Sequence, residues 1–279
     1  METCQNSYCQ KPMPPELERC PACGHNNGLP NLRHCNREQG ALEARFQAAL
    51  ADCKARHVEA IALDFTQAVE QNARAVINGD AQFLFSFLDN ERSLYSAYAL
   101  QLKGQQRIAA AEANHAERIG VEAQVFGAYG ENIRYAALSL NGLGIHSYGN
   151  CTITLNDQLC CNIASLTEEN TFPLVKRHGK TIPPGYRASW AGRKKLALAK
   201  LAARIDSGTT PDQYAGLILF CEGKYQTDQF IEVHLYGPFT CHAIVEANLP
   251  TTGKDKQERY ALELLEDKFI ARGIPCQRH

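Results

Sequence analysis

The residues best suited to chemistry in this sequence are cysteines clustered near the start of the chain. The 279 residues include 12 cysteines, and the run CPACGH at positions 20–25 has the two-residue spacing of a zinc knuckle. The glycine that follows the second cysteine of such a knuckle permits its tight turn. Two pairs of thiolates can close a tetrahedral shell around one zinc ion. The predicted zinc ligands are Cys4, Cys9, Cys20 and Cys23.

Two alternatives to this ligand set remain open. The first cysteine pair is spaced more widely than in most zinc knuckles, so His25, His34 and Cys35 are replacement ligands to consider. The thiols could also be unliganded, whereas a redox role is disfavoured because no βαβ pattern follows the CxxC pair. Residues 1–36 have almost no periodic apolar pattern and cannot bury enough surface to fold alone. We therefore expect zinc to stabilise this segment, with a structural or interaction-making role.

Composition and the N-terminal sequence indicate a globular cytoplasmic protein. Hydrophobic residues make up 44% of the chain, charged residues 21%, and the formal net charge is -1. The N-terminus lacks the basic and apolar regions of a signal peptide, and no run approaches the roughly 18 apolar residues of a membrane helix. We expect no membrane partner and no disulfide framework. The cysteines in apolar, strand-like runs are predicted to be small core residues, and these are Cys151, Cys160, Cys161 and Cys221.

A second candidate for chemistry is Glu232, which lies in the strand-like run FIEVHLY at positions 230–236. Its apolar neighbours predict a carboxylate that lies either on the solvent face of an edge strand or in a cleft. Taken alone, the pattern favours the edge strand. Taken with two further segments, it favours the cleft.

These segments together resemble the ADP-ribosyltransferase fold, especially its bacterial toxin-like members. The run NIRYAAL at 132–138, followed by YGNC at 148–151, is similar to the opening strands of that fold. The run ASLT at 164–167 is similar to its Ser-x-Thr strand, and FIEVHLYGP at 230–238 to the strand that bears its catalytic glutamate. The resemblance covers about residues 95–275.

The resemblance implies an NAD-consuming enzyme, with NAD as substrate. Loss of nicotinamide passes through a positively charged ribosyl species, which a carboxylate can stabilise while it also activates the acceptor. An arginine can hold a phosphate by bidentate hydrogen bonds, and strand hydroxyls can shape the nicotinamide pocket. The implied residues are Glu232 and His234 for catalysis, and Arg134, Tyr135, Ser165 and Thr167 for binding NAD.

Two features depart from the family pattern. Arginine-modifying members usually carry Glu or Gln two residues before the catalytic glutamate, where this chain has Phe230. The tyrosine pair of the diphtheria-toxin-like branch is not recognisable. His234 could bind the acceptor, act as an auxiliary base, or be an ordinary strand histidine.

A basic tract offers a candidate surface for the acceptor. Residues 171–205 contain nine Lys or Arg and no Asp or Glu. Between Arg187 and Arg204 the cations follow a helical pattern, with Tyr186 and Trp190 interleaved. Such a surface can neutralise phosphates and stack bases. The alternative is a solvated helix face that docks an acidic antitoxin or NAD itself.

The predicted fold class is α+β, because helices come first and strands mostly follow. Three regions are expected: a zinc-binding segment at 1–36, three or four helices at 37–118, and an ADP-ribosyltransferase-like mixed or antiparallel core at 119–279. Strands are predicted at 121–126 and 214–220, and a helix over 187–205. A closing amphipathic helix should end at Gly273.

The sequence leads to one functional expectation and two alternatives. The resemblance implies an NAD-dependent ADP-ribosyltransferase toxin that modifies nucleic acid, with RNA favoured, and that a partner antitoxin restrains. It is similar to mRNA-modifying anti-phage toxins of toxin–antitoxin–chaperone systems. The alternatives are a protein-modifying transferase and a non-enzymatic zinc-ribbon protein that binds nucleic acid.

Overall fold

The computed structural model describes residues 2–97, 101, 120–179, 181–224 and 227–279. The chain opens with a two-stranded antiparallel sheet, β1 (Glu2–Thr3) and β2 (Pro12–Met13). Together with residues 14–28 these strands form a small N-terminal module built around the four cysteines.

The helices are spread along the described part of the chain. In chain order they are α1 (Pro30–Ala55), α2 (Glu59–Asn72), α3 (Ala81–Phe87), α4 (Asp157–Ile163), α5 (Thr171–Arg177), α6 (Arg193–Leu201), α7 (Tyr214–Ile218) and α8 (Lys256–Ala271). Proline suits the first turn of α1, because backbone N–H groups at a helix start have no acceptor within the helix. The closing helix α8 starts at Asp255, whose side chain accepts from the Glu258 amide, and Gly273 follows its end at φ +68°.

Among the described residues, a mostly antiparallel sheet of eight strands forms the centre of the fold. Its strands are β3 (Arg74–Gly79), β4 (Ile133–Ser139), β5 (Cys151–Leu155), β6 (Ala164–Thr167), β7 (Arg187–Ser189), β8 (Glu232–Tyr236), β9 (Ile244–Leu249) and β10 (Cys276–Arg278). They lie in the order β10-β9-β5-β3-β4-β8-β6-β7, and β10 pairs with β9 in parallel. The predicted α+β class is confirmed.

The two faces of this sheet differ in chemistry. Alternate residues of a strand point to opposite faces, and one set, including Leu138, Leu166 and Val233, packs into the main core with helices α2, α6 and α8. The other face carries buried polar side chains between two smaller apolar clusters. The polar residues of that face include Thr152, Ser165, Thr167, Glu232 and His234.

Several predicted element boundaries are corrected. Helix α1 begins at Pro30, before the expected boundary at 36. The region expected to be helical contains β3, which lies between β5 and β4 near the middle of the sheet. A strand buried on both faces is a continuous apolar run, and its periodicity cannot distinguish it from a helix. Residues 98–100 and 102–118 of that region lie outside the described residues.

Three other segments differ from expectation for a similar reason. Residues 121–126, predicted as a strand, are helical. The run at 214–220 forms the short helix α7 rather than a strand. The predicted helix over 187–205 begins with strand β7 and becomes α-helical at Arg193. Short apolar runs are ambiguous in sequence, and tertiary pairing decides their conformation.

Within the described ranges, no helix is both long enough and apolar enough to cross a membrane. Of the cysteines predicted to be core residues, Cys151 and Cys160 are buried, whereas Cys161 is exposed and Cys221 half-buried. Cys161 lies on the solvent side of α4.

Candidate functional site

The four N-terminal cysteines converge on one point. Their sulfur atoms all lie within 4.8 Å of one another, with Cys4 Sγ 3.7 Å from Cys23 Sγ and Cys9 Sγ 3.9 Å from Cys20 Sγ. A tetrahedral zinc site with Zn–S bonds of about 2.3 Å requires S–S distances of about 3.8 Å. The four thiols therefore fit one tetrahedral metal ion.

Local backbone geometry explains why these cysteines meet. The amide of Gly24 donates to the carbonyl of Cys20 at 2.8 Å, and its φ of +72° allows the knuckle to turn. The amide of Cys4 donates to the Lys11 carbonyl at 3.0 Å, which closes the first loop. The alternative ligands His34 and Cys35 lie in α1, and the cluster of metal-ligating side chains contains only the four cysteines among the described residues.

Arg33 fastens the N-terminal module to the rest of the fold. Its guanidinium is buried, and its Nε donates to the Glu2 carboxylate at 2.7 Å. The other nitrogens donate to three backbone carbonyls of the module, those of Gly28, Pro15 and Leu17. Because Arg33 lies on α1, its hydrogen bonds attach the module to the rest of the fold.

The predicted catalytic residue Glu232 begins β8, a strand in the interior of the sheet. The edge-strand alternative therefore does not apply. Cross-strand partners share a face, and Glu232 is paired with Thr167 of β6. His234 is paired with Ser165 on one side and Tyr135 on the other. The structure thus brings five of the six predicted catalytic and NAD-binding residues to one face.

Three hydrogen bonds converge on a single oxygen of Glu232. Its Oε2 accepts from the Thr171 amide at 2.8 Å and from the Thr171 hydroxyl at 2.5 Å. The Nε2 atom of His234 lies 3.0 Å from the same oxygen. Among the described residues Oε1 accepts no hydrogen bond, and the side chain is 8% exposed. The carboxylate is therefore fixed through one oxygen and has the other available.

The contacts of this site lower the pKa of Glu232. Burial opposes ionisation, but the contact with His234 and the two hydrogen bonds from Thr171 outweigh it, so the pKa of Glu232 lies below its ordinary value. The His234 ring packs edge-on against Phe126 at 4.9 Å and Tyr135 at 5.5 Å. These rings help to bury the imidazole of His234, which is 1% exposed.

The two strand hydroxyls contact the site in different ways. Thr167 Oγ1 donates to the Glu169 carbonyl at 2.9 Å and lies 3.3 Å from Thr171 Oγ1. Ser165 Oγ accepts from Asn31 at 3.1 Å. Sequence reasoning missed Asn31, which reaches Ser165 from a helix far earlier in the chain, and Thr171, which is 61 residues from Glu232 in sequence. The hydroxyl of Thr171, close after the ASLT run, was the only available signal.

Arg134, the sixth predicted residue, lies on the opposite face of the sheet. It is paired with Leu235, one residue out of phase with His234 and Glu232. Its guanidinium is buried and donates to the carbonyls of Tyr95 at 3.1 Å and Asn132 at 2.7 Å. Because Arg134 lies on the other face and its guanidinium is engaged by these carbonyls, the structure does not bring it to the carboxylate.

The basic tract is largely paired within the molecule. Trp190 is buried and its indole N–H donates to Asp157 at 2.7 Å, so the ring is not free to stack on a base. Arg193 is buried against this ring. Lys200 donates to the Phe230 carbonyl at 2.9 Å, and burial lowers its pKa to about 8. These side chains are therefore engaged within the molecule, and the tract offers fewer groups to bind nucleic acid than its sequence suggests.

Two half-buried lysines of the tract allow a direct test. Lys194 and Lys195 form ion pairs with Glu70 and Glu43. We expect Lys194→Glu with Lys195→Glu to lower the free energy of unfolding by about 1 kcal/mol, because two weak attractions become repulsions. Urea unfolding measures this change. Nucleic-acid affinity should change by less than about twofold, and a steeper loss with a reduced salt dependence would restore the tract as a binding surface.

A cleft of about 410 Å³ opens further along the same strand. Tyr236 lies two residues beyond His234 on the face that carries Glu232. Burial and a hydrogen bond to Glu18 raise the pKa of Tyr236 to about 12. The N-terminal module forms the opposite wall, and the cleft is lined by Glu16, Leu17, Glu18, Arg19, Ala128, Tyr129, Asn132 and Tyr236.

Comparisons with known proteins add no family to this description. No protein-family model matches the chain, and no curated protein sequence matches it.

Proposed function

We propose that this protein is an NAD-dependent ADP-ribosyltransferase with Glu232 as its catalytic carboxylate. The observation that carries the proposal is the arrangement of Glu232, which is buried, is held at Oε2 by three hydrogen bonds, and accepts none at Oε1 from the described residues. Support also comes from Ser165 and Thr167, which share its face of the sheet on the neighbouring strand. The resemblance of three chain segments to the transferase family points to the same residues.

The site suits glycosyl transfer from NAD. Cleavage of the bond between nicotinamide and ribose leaves positive charge on the ribose, and a fixed carboxylate in a water-poor site stabilises that charge. Oε1 of Glu232 is the atom that would face the ribose, because Oε2 is occupied by donors. The acceptor then bonds to the ribose carbon and loses its proton, and nicotinamide leaves as the neutral base.

The acceptor in this proposal is nucleic acid, with RNA favoured, and it rests on the resemblance to mRNA-modifying toxins. The paired basic tract contributes little to this choice. A toxin role restrained by an antitoxin has the same basis. The four-cysteine cluster is proposed to hold a structural zinc ion, since its sulfur geometry matches a closed tetrahedral site without an open position.

The decisive experiment is incubation of the purified protein with NAD labelled in the adenylate portion, alone and with cell extract. We expect release of nicotinamide and transfer of the label to macromolecules. Sensitivity of the labelled product to nuclease or protease identifies the acceptor class. Label in protease-sensitive material would favour the protein-modifying alternative.

A protein that binds nucleic acid but leaves NAD intact under all conditions would contradict the enzyme proposal. It would favour the non-enzymatic zinc-ribbon alternative, for which the cysteine cluster is the supporting observation.

A further inference from the structure

The hydrogen-bond donors around Glu232 can be assigned one proton at a time. Thr171 Oγ1 lies 2.5 Å from Glu232 Oε2, 3.0 Å from His234 Nε2 and 3.3 Å from Thr167 Oγ1. An ionised carboxylate can only accept, so the single hydroxyl proton of Thr171 is donated to Glu232. The hydroxyl proton of Thr167 is donated to the Glu169 carbonyl at 2.9 Å. Neither threonine has a proton left for the imidazole.

These donor assignments determine whether Nε2 of His234 carries a proton. His234 Nε2 meets two acceptors, the Glu232 oxygen and the Thr171 oxygen, each at 3.0 Å. An unprotonated Nε2 would point its lone pair at both of them, which is unfavourable in a buried site. Nε2 therefore carries a proton, and His234 is a donor at this nitrogen rather than a base.

We propose that Thr171 and His234 are positioning residues, a pair of donors that holds Glu232 by Oε2 and leaves Oε1 as the only substrate-facing oxygen. The three residues are between 1% and 6% exposed, so water cannot replace a lost donor without cost. Only the role of Oε1 as the oxygen that faces substrate rests on the proposed function. The donor arrangement itself follows from the contacts.

Other charges near the site come from several elements, and each already has a partner. Arg187 of β7, in register with Thr167, lies 3.7 Å from Glu38 of α1. Lys200 of α6 donates to the Phe230 carbonyl. The remaining pairs are Glu168 with Arg45 and Glu169 with Arg177, and Tyr135 of β4 contributes its ring against His234.

Thr171→Val tests the positioning role, because valine keeps the shape and the backbone donor but removes the hydroxyl. Loss of a donor to the charged form raises the pKa of a carboxylate, so the acidic limb of the pH–rate profile should move to higher pH. We expect kcat for NAD cleavage at neutral pH to fall about tenfold, with a smaller change in KM. Thr171→Ser should restore both properties.

A matched control removes a buried helical hydroxyl elsewhere. Thr66 of α2 donates to the Leu63 carbonyl, and Thr66→Val should leave the pH–rate profile and kcat unchanged. A wild-type profile in Thr171→Val, or a failure of Thr171→Ser to restore it, would overturn the positioning role.

Nuclear magnetic resonance supplies a readout that needs no enzymatic activity. The ¹⁵N spectrum of wild-type protein should show His234 protonated at Nε2, and the ¹³C titration of the Glu232 carboxyl should move to higher pH in Thr171→Val. An unprotonated Nε2 or an unmoved titration would overturn the inference. A wild-type protein that passes both tests yet never cleaves NAD would contradict the proposed function alone.

Discussion

Glu232→Gln is expected to lower NAD turnover by about 10²- to 10³-fold while the protein stays folded. The amide can place its oxygen at the Oε2 position and still accept from Thr171 and His234, which puts the NH₂ group where Oε1 now lies. The variant therefore keeps the contacts that hold the side chain. It replaces the substrate-facing negative charge with a neutral donor, which cannot stabilise a positive ribose.

The stability of this variant should depend on pH in a defined direction. Since the pKa of Glu232 is lowered in the folded protein, its ionisation stabilises the fold at neutral pH. That contribution is present above the ordinary pKa of a glutamate and disappears as the pH falls through the lowered, folded-state value. Glu232→Gln should thus be about 1–2 kcal/mol less stable than wild type at pH 7 and nearly equal in acid.

A glutamate on a distant strand of the same sheet provides the control. Glu246 lies half-buried on β9, four strands from β8, and Glu246→Gln should leave turnover unchanged. The measurement is nicotinamide release under saturating NAD, with circular dichroism as the test of folding. Full activity in Glu232→Gln would exclude Glu232 as the catalytic carboxylate, and with it most of the enzyme proposal.

The sequence predicts the parts of this site that depend on spacing within one segment. Ser165 and Thr167 share a face because they are two residues apart on a strand, and the same holds for Glu232 and His234. The two-residue spacing of Cys20 and Cys23 likewise places both of these thiols on one tight turn. Local geometry alone determines these arrangements.

Contacts between segments cannot be predicted in this way, because they depend on strand register. Arg134 and Tyr135 are neighbours in sequence, and only the pairing of β4 with β8 decides which of them faces Glu232. A shift of one residue would exchange their faces. The sequence contains no signal that fixes this register, so it cannot separate the arginine that binds backbone carbonyls from one that could bind a phosphate.

Charge pairing is also invisible in a one-dimensional pattern. The basic tract has no acidic residue of its own, yet its partners Glu43 and Glu70 are supplied by α1 and α2, more than a hundred residues earlier. The main strand missed from sequence, β3, has residues buried on both faces, which removes the alternation that reveals a half-exposed strand.

Removal of the metal from the N-terminal module is the second change for which we expect a large effect. Purified protein should contain close to one zinc ion per chain, as measured by elemental analysis, and Cys20→Ser should reduce this to near zero. Zinc binding to small cysteine modules provides about 10–16 kcal/mol of apparent free energy, which is the folding free energy of such segments. Residues 2–28, which have little apolar core besides Met13 and the cysteines, should then lose their fixed structure.

The consequence should extend beyond the module through Arg33. Its buried guanidinium donates to Glu2 and to the carbonyls of Pro15, Leu17 and Gly28, all within the segment that zinc stabilises. When that segment loses its structure, Arg33 loses all four of these partners, and the contacts between α1 and the module are lost with them. We therefore expect Cys20→Ser to lower the thermal midpoint by several degrees and to expose residues 2–28 to protease. Cys161→Ser, at an exposed cysteine outside the cluster, should retain zinc and wild-type stability. Metal-free wild-type protein with an unchanged thermal midpoint and a protease-resistant N-terminus would show that these four thiols are not a zinc site, whatever their geometry.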